Sequence, residues 1–200
     1  MRLAGVDLLA AAKNEAALVP LVDDKEPLVA LQAAIAIKSS HPDLAAKAVD
    51  RALAAEDWTA RAGAANYLAM ALGKSGAIAT ATRLTSDAHV GVRLAAARVL
   101  LHAGKKATAM PIFTAALADA DHGIQAAADL ASVGDPAGIE ALSKATLDRS
   151  RSPEQRSAAV AAHRTAHRVT PGLVAALADD SGIVRIEAAE VLGVLAKERE

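Results

Sequence analysis

The sequence predicts an all-α fold built from repeated helical hairpins, and three observations carry that reading. The first is a sentence written twice. LADDSGIVRIEAAEVLGVL, from Leu177 to Leu195, places an aspartate pair, a short turn and a Val-Arg dipeptide ahead of an apolar stripe of Ile186, Ala188, Ala189, Val191 and Leu192. TSDAHVGVRLAAARVLL, from Thr85 to Leu101, repeats it with Arg93 where Arg185 stands. The second is a period. Taking that arginine as a marker, equivalent positions fall at Arg2, Ala30, Arg61, Arg93, Gln125, Arg156 and Arg185, about 28 to 32 residues apart, a two-helix spacing shorter than the roughly 40 to 47 of larger helical repeats. The third is composition. More than a quarter of the residues are alanine and only 2% are aromatic, which suits closely approaching helices. Stacked repeats share a continuous core, so one domain over 1–200 is expected.

The marker sets a frame for each element. Three residues after it stand Gly5, Ala33, Ala64, Ala96, Ala128, Ala159 and Ala188, all small, which predicts a close helix crossing there. Seven residues after it, Leu9, Ile37, Leu68, Leu100, Ser132, His163 and Leu192 mark a core position that weakens in two late repeats. Asp57, Asp121, Ser152 and Ser181 are N-cap candidates, and Ser152-Pro153-Glu154-Gln155 combines a cap, an N1 proline and a capping-box partner. First helices begin near Pro42, Pro136 and Pro171, while Gly73, Gly104 and Gly134 are stops. Second helices are therefore expected near 2–13, 26–38, 57–72, 89–103, 121–133, 153–168 and 181–198: about six hairpins preceded by an extra N-terminal helix.

Met1 to Leu9 align with Val92 to Leu100, so the chain starts in mid-repeat. Three readings of that start are open: the chain is the tail of a longer protein, another surface covers its N-terminal face through self-association or an upstream domain, or the first helix folds back on its neighbour. Lys197-Glu198-Arg199-Glu200 is a polar cap at the other end.

The short spacing, the Asp-turn-Val-Arg signature and the small residues behind it resemble the short HEAT-like repeat family, whose bacterial members include phycobilisome-lyase-type repeats. The Trp, Leu-Gly and Tyr pattern of tetratricopeptide repeats and the Thr-Pro-Leu-His tetrad of ankyrin repeats are missing. The resemblance implies a right-handed, armadillo-like α-solenoid. It also implies a structural role for Asp24, Asp87, Asp119 and Asp179, six residues before the marker, and for Arg61, Arg93, Arg156 and Arg185: a ladder of hydrogen bonds along the inter-helix turns, interrupted at Ala30 and Gln125.

Charge narrows the function. Lys and Arg number 22 against 23 Asp and Glu, so no global field draws the chain to nucleic acid or an anionic membrane. Without cysteine there is no disulfide framework and no thiolate chemistry. No apolar run reaches membrane-span length, and no signal-peptide pattern opens the chain, so a cytoplasmic protein is expected. His163 and His167 have zinc-ligand spacing on a helix, but Arg164, Thr165 and Ala166 intervene where a metalloprotease has its glutamate, and His163 falls at the core position. A buried neutral histidine is the expectation. No phosphate loop, nucleophile elbow or paired-carboxylate pocket is visible, so neither enzyme activity nor a cofactor is expected.

The recognition candidates lie five residues after the marker. Asp7, Ile35, Asn66, Arg98, Leu130, Ala161 and Glu190 mix charge, amide and apolar groups at one repeat position. In a superhelix, second helices line the concave face, where such a column would meet a protein or peptide; ordinary solvent-facing drift is the alternative. Trp58, near a helix start, is either an interface anchor or packing over the adjacent turn. The function expected is a non-catalytic protein-interaction scaffold. The alternatives are a C-terminal accessory domain of a larger bacterial enzyme, for example a sulfatase-like one, and a phycobilin lyase-like chaperone. A HEAT-like DNA glycosylase would need a basic face and more than the three aromatics present.

Overall fold

The glycine stops and the proline starts act where the frame places them, as do the Asp57 and Ser152 caps. The structure, a computed structural model, describes residues 2–198, and side chains from residue 4 onward. Met1, Arg199 and Glu200 lie outside the described residues, as does the Arg199-Glu200 part of the proposed polar cap. Every regular element among the described residues is helical. The second helices are α1 (Arg2–Ala11), α3 (Pro27–Ala36), the first arm of α5 (Trp58–Leu84), α6 (Val90–His102), α8 (Gly123–Ser132), α10 (Pro153–Ala166) and α12 (Gly182–Lys197). Between them run α2 (Glu15–Leu18) with a 3-10 turn at Val19–Asp23, then α4 (Pro42–Leu53), the second arm of α5, α7 (Lys106–Ala116), α9 (Pro136–Leu147), and α11 (Pro171–Ala175) with a 3-10 turn at Ala176–Ala178. Gly73 breaks α5 at φ 66°, ψ 176°, and Gly104 and Gly134 also take positive φ, a region open to glycine without steric cost.

The backbone divides into two compact units, Met1–Ala109 and Met110–Glu200, where the sequence predicts one domain. In the first unit α1 packs on α3, α3 on α5, and α4 on both α3 and α5; α5 packs on α6. In the second, α8, α10 and α12 form one row, α9 and α11 a second, and α9 binds the two rows together. Each unit is thus a stack of helical hairpins, the construction of an α-solenoid.

The small-residue column is the seam of that stack. Ala33, Ala64, Ala96, Ala128, Ala159 and Ala188 are all fully buried. In the second unit Val160, Leu173, Ala176, Val184, Ala188, Val191 and Leu195 form one core cluster. Position seven holds core at Ile37, Leu68, Leu100 and His163 but not at Ser132, which is exposed and bonds the Asp129 carbonyl. One expectation is corrected: the stripe of α12 that packs inward is Val184, Ala188, Val191 and Leu195, while Ile186 is 63% exposed and Ala189 faces outward. Residues i, i+4, i+7 and i+11 share a face at 3.6 residues per turn, and that face starts at Val184 rather than Ile186. No helix among the described residues is long and apolar enough to cross a membrane.

Candidate functional site

Two arginines of the repeat frame, Arg61 and Arg156, meet the aspartates of the following turns, Asp87 and Asp179. Arg61 donates from Nη1 to the carbonyls of Ala55 (2.9 Å) and Glu56 (2.7 Å), closing its own turn. Its other edge reaches the next turn, Nε to Asp87 Oδ2 at 2.9 Å and Nη2 to Oδ1 at 3.0 Å. Arg156 repeats this on Asp179 at 3.0 and 2.8 Å while bonding the Arg151 carbonyl. Arg93 and Arg185 make the carbonyl contacts, Arg93 to Asp87 and Ala88, Arg185 to Asp179 and Asp180. Each aspartate also accepts a backbone N–H two residues on: Asp24 from Glu26, Asp87 from His89, Asp119 from Asp121, Asp179 from Ser181. The bidentate fork fixes spacing and angle between successive turns in a way a lysine could not.

Where the marker arginine is missing, another group serves. In the Ala30 repeat, Arg51 of α4 donates to the Asp24 carbonyl at 2.8 Å. In the Gln125 repeat, Asp119 faces His122 Nδ1 at 2.9 Å and accepts the His122 backbone N–H. The sequence pattern showed the gaps but not these substitutes, because Arg51 lies outside the marker frame.

Electrostatics follow the geometry. Arg61 beside Asp87, and Arg156 beside Asp179, hold these carboxyls below the ordinary carboxylate range, with backbone N–H bonds adding to the effect. His122 does the same for Asp119. These groups are engaged with the scaffold itself.

Capping runs close to expectation. Asp57, Asp135 and Thr170 accept from Thr59, Ala137 and Leu173, and Ser152 and Gln155 form the full capping box. Asp121 is corrected: His122 precedes α8 without a side-chain cap, and Asp119 binds the turn instead. Ser181 occupies its cap position without a side-chain bond.

The histidine pair is separated. His163 is fully buried. Its Nδ1 lies 3.1 and 3.2 Å from the Ala159 and Val160 carbonyls, and its Nε2 lies 2.8 Å from the Thr170 hydroxyl. Carbonyls only accept, so Nδ1 carries the proton and Nε2 accepts from Thr170. His167 is the left-handed C-cap of α10, exposed, with Nδ1 3.0 Å from Glu198. The helix ends at Ala166, which turns the second imidazole off the shared face. Among the described residues no group of three His, Asp or Glu side chains is placed to hold a metal.

Burial depresses the His163 pKa below 6.5. The unfolded chain takes up that proton near pH 6.5 while the folded chain resists it. Stability from this residue is therefore complete above about pH 6.5 and is lost as pH falls toward the folded value. Chemical denaturation at pH 7 and pH 5 should show a loss for the wild type that His163→Gln reduces; equal losses would remove His163 as its source.

The proposed recognition column divides. Asp7, Asn66 and Glu190 are exposed, while Arg98 and Ala161 are partly so. Ile35 at 8% and Leu130 at 0% exposure are corrected to core residues: at those repeats the helix turns the position inward, where an aliphatic side chain stabilises by leaving water. Glu190 stands 3.7 Å from Arg164, which forms a closer ion pair with Glu187 at 2.8 Å. Trp58 stacks on His89 of the next turn, centroids 3.9 Å apart and planes within 9°. It packs over the adjacent turn and keeps 36% of its surface open.

Two grooves touch the column, each within one unit. In the first unit, Asn66, Lys74, Val99 and His102 line about 440 Å³. In the second, Glu154, Ile183, Ile186, Glu187 and Glu190 line about 330 Å³. A larger apolar groove of about 750 Å³ lies between first helices α9 and α11, lined by Pro136, Ile139, Leu147, Pro171 and Gly172 among others. Sequence reasoning looked only at second helices and missed it; the paired prolines at the two helix starts were the available signal. No protein-family model matches the chain, and no curated protein matches it in sequence.

Proposed function

We propose that the chain is a non-catalytic, cytoplasmic protein-interaction scaffold of the HEAT-like repeat class, which offers a second-helix face to a protein or peptide partner. One observation supports this most. The charged groups of the ladder are consumed in holding the turns, whereas Asp7, Asn66, Arg98 and Glu190, at a different repeat position, retain access to solvent. Rigid presentation of such a mixed surface needs no bond-making chemistry, and central polar and arginine contacts dominate many interfaces.

The test is affinity capture with the immobilised full chain, followed by titration of the captured protein. Arg98→Ala and Glu190→Ala should each weaken binding about tenfold, which corresponds to ~1.4 kcal/mol. Unchanged affinity in both variants rejects this face.

A further inference from the structure

The near-neutral charge of the whole chain hides a local imbalance. From Trp58 to Ala109 seven lysines and arginines stand against a single acid, Asp87. That acid accepts from Arg61 Nε and Nη2, so its charge is already met. Arg61 and Arg93 are tied to their own turns, whereas Lys74, Lys105 and Lys106 are exposed. Neither α5 nor α6 contains an aspartate or a glutamate, so no carboxylate of either helix offsets them.

The surplus meets one groove of the first unit. The Gly73 break puts Lys74 at the start of the second arm of α5, and His102 is the last residue of α6. Both line the groove of about 440 Å³ together with Asn66 of the first arm, and Ala69, Ala77 and Val99 supply its apolar wall. Asn66, Lys74 and His102 are exposed. None of the three makes a side-chain hydrogen bond or ion pair to another described residue, in contrast to the arginines of the turns. Lys38 Nζ, 3.4 Å from the Met70 carbonyl, brings a further ammonium to the end of the first arm. Helix ends of both signs meet here, the start of one arm and the ends of the other and of α6, so the formal charges set the sign of the groove, and it is positive.

We infer that this groove takes an acidic peptide segment, with Lys74 and His102 donating to its carboxylates and Asn66 pairing with a backbone amide. An ammonium donates to a carboxylate through a charge-assisted bond, about twice as strong as a neutral one. The Asn66 carboxamide offers donors and an acceptor together, the complement of a peptide group; a phosphate dianion presents acceptors only. The alanine and valine wall suits the aliphatic part of the segment, which leaves water as it docks. The inference rests on the scaffold reading, whose face includes Asn66, and adds the chemistry of the partner there.

Fluorescence anisotropy of a fluorescein-labelled peptide of alternating glutamate and alanine, titrated with the full chain at ~0.15 M salt, tests it. The peptide should saturate below ~1 mM, the weak end of specific association, and its glutamine-for-glutamate counterpart should bind at least about tenfold more weakly. Lys74→Glu and His102→Glu, both at exposed sites and each checked for unchanged helicity, should each weaken the acidic peptide about tenfold. Lys144→Glu, the same charge reversal as Lys74→Glu at an exposed lysine of the second unit, should leave binding unchanged. Absence of saturation, equal binding of the glutamine peptide, unchanged binding in both groove variants, or an equal loss in Lys144→Glu overturns the inference. So does a single-stranded oligonucleotide that binds more tightly than the peptide and loses as much in the groove variants, which would assign the groove to phosphate. Weaker capture by Arg98→Ala and Glu190→Ala, with no binding of the acidic peptide, would keep the scaffold reading and remove this one.

Discussion

Asp179→Ala should lower the thermal midpoint by about ten degrees, far more than an exposed ion pair would, because it strands a buried guanidinium. Asp179 is 3% exposed and Arg156 4%. The carboxylate accepts from Arg156 Nε and Nη2 and from the Ser181 backbone at 2.8 Å, and it pairs with the Arg149 guanidinium at 2.8 Å. Its removal leaves Arg156 with the Arg151 carbonyl and with Asp180, whose side chain is 76% exposed. Arg185→Ala, which loses only carbonyl contacts on an exposed side chain, should do much less. The double replacement Arg156→Met, Asp179→Leu should recover most of the loss, since apolar groups of similar volume remove the stranded charge along with its partner. Thermal melts of the three proteins decide this; a double variant as damaged as Asp179→Ala would show that the pair stabilises beyond satisfying itself.

The same pair sets an acid limit. Asp179 and Asp87 titrate below their unfolded value because arginine faces them. Their contribution is present above the unfolded pKa of about 3.9 and is lost as pH falls through that value toward the folded one. The midpoint of the wild type should therefore drop steeply below about pH 4, and that of Asp179→Ala less steeply.

Gly138→Ala should destabilise by about 2 kcal/mol, within the range of overpacking in a tight core. The sign is the informative part. Gly138 lies in the first turn of α9 with ordinary φ, where alanine reduces unfolded-chain freedom and gains about 0.4–1 kcal/mol if space permits. Here an added Cβ would meet the Ala131 nitrogen at 2.6 Å, the Ala127 carbonyl oxygen at 2.7 Å and the Leu130 Cβ. Those are mainly backbone atoms of α8, which cannot rotate aside. Urea denaturation of the second unit's helical signal measures it; a midpoint at or above that of the wild type would show that α8 and α9 separate freely. Gly172 faces the same obstacle at the Ser143 backbone of α9.

The alanine seam and the glycine crossings came into view differently. Ala64, Ala96, Ala128, Ala159 and Ala188 recur at one offset from the marker position, and a position that tolerates only small residues in repeat after repeat implies a neighbouring helix on top of it. Gly138 and Gly172 have no such recurrence. They stand in first helices, whose lengths and starts vary, and their tightness exists only once α8, α9 and α11 are brought together.

The sequence by itself determined the all-helical class, the hairpin period, and most caps and stops, because these are local chemistry or exact recurrence. It also determined that His163 belongs to the core and lacks the acid of a metal helix. The tertiary structure decided which side of each second helix faces inward. A rotation of about 100° per residue moves a side chain from solvent to core, and an alanine-rich helix with apolar groups on two sides does not state its own orientation. For that reason Ile35 and Leu130 are core, Ile186 and Ala189 lie outside, and Trp58 rests on His89, outcomes fixed by which helices pack against which.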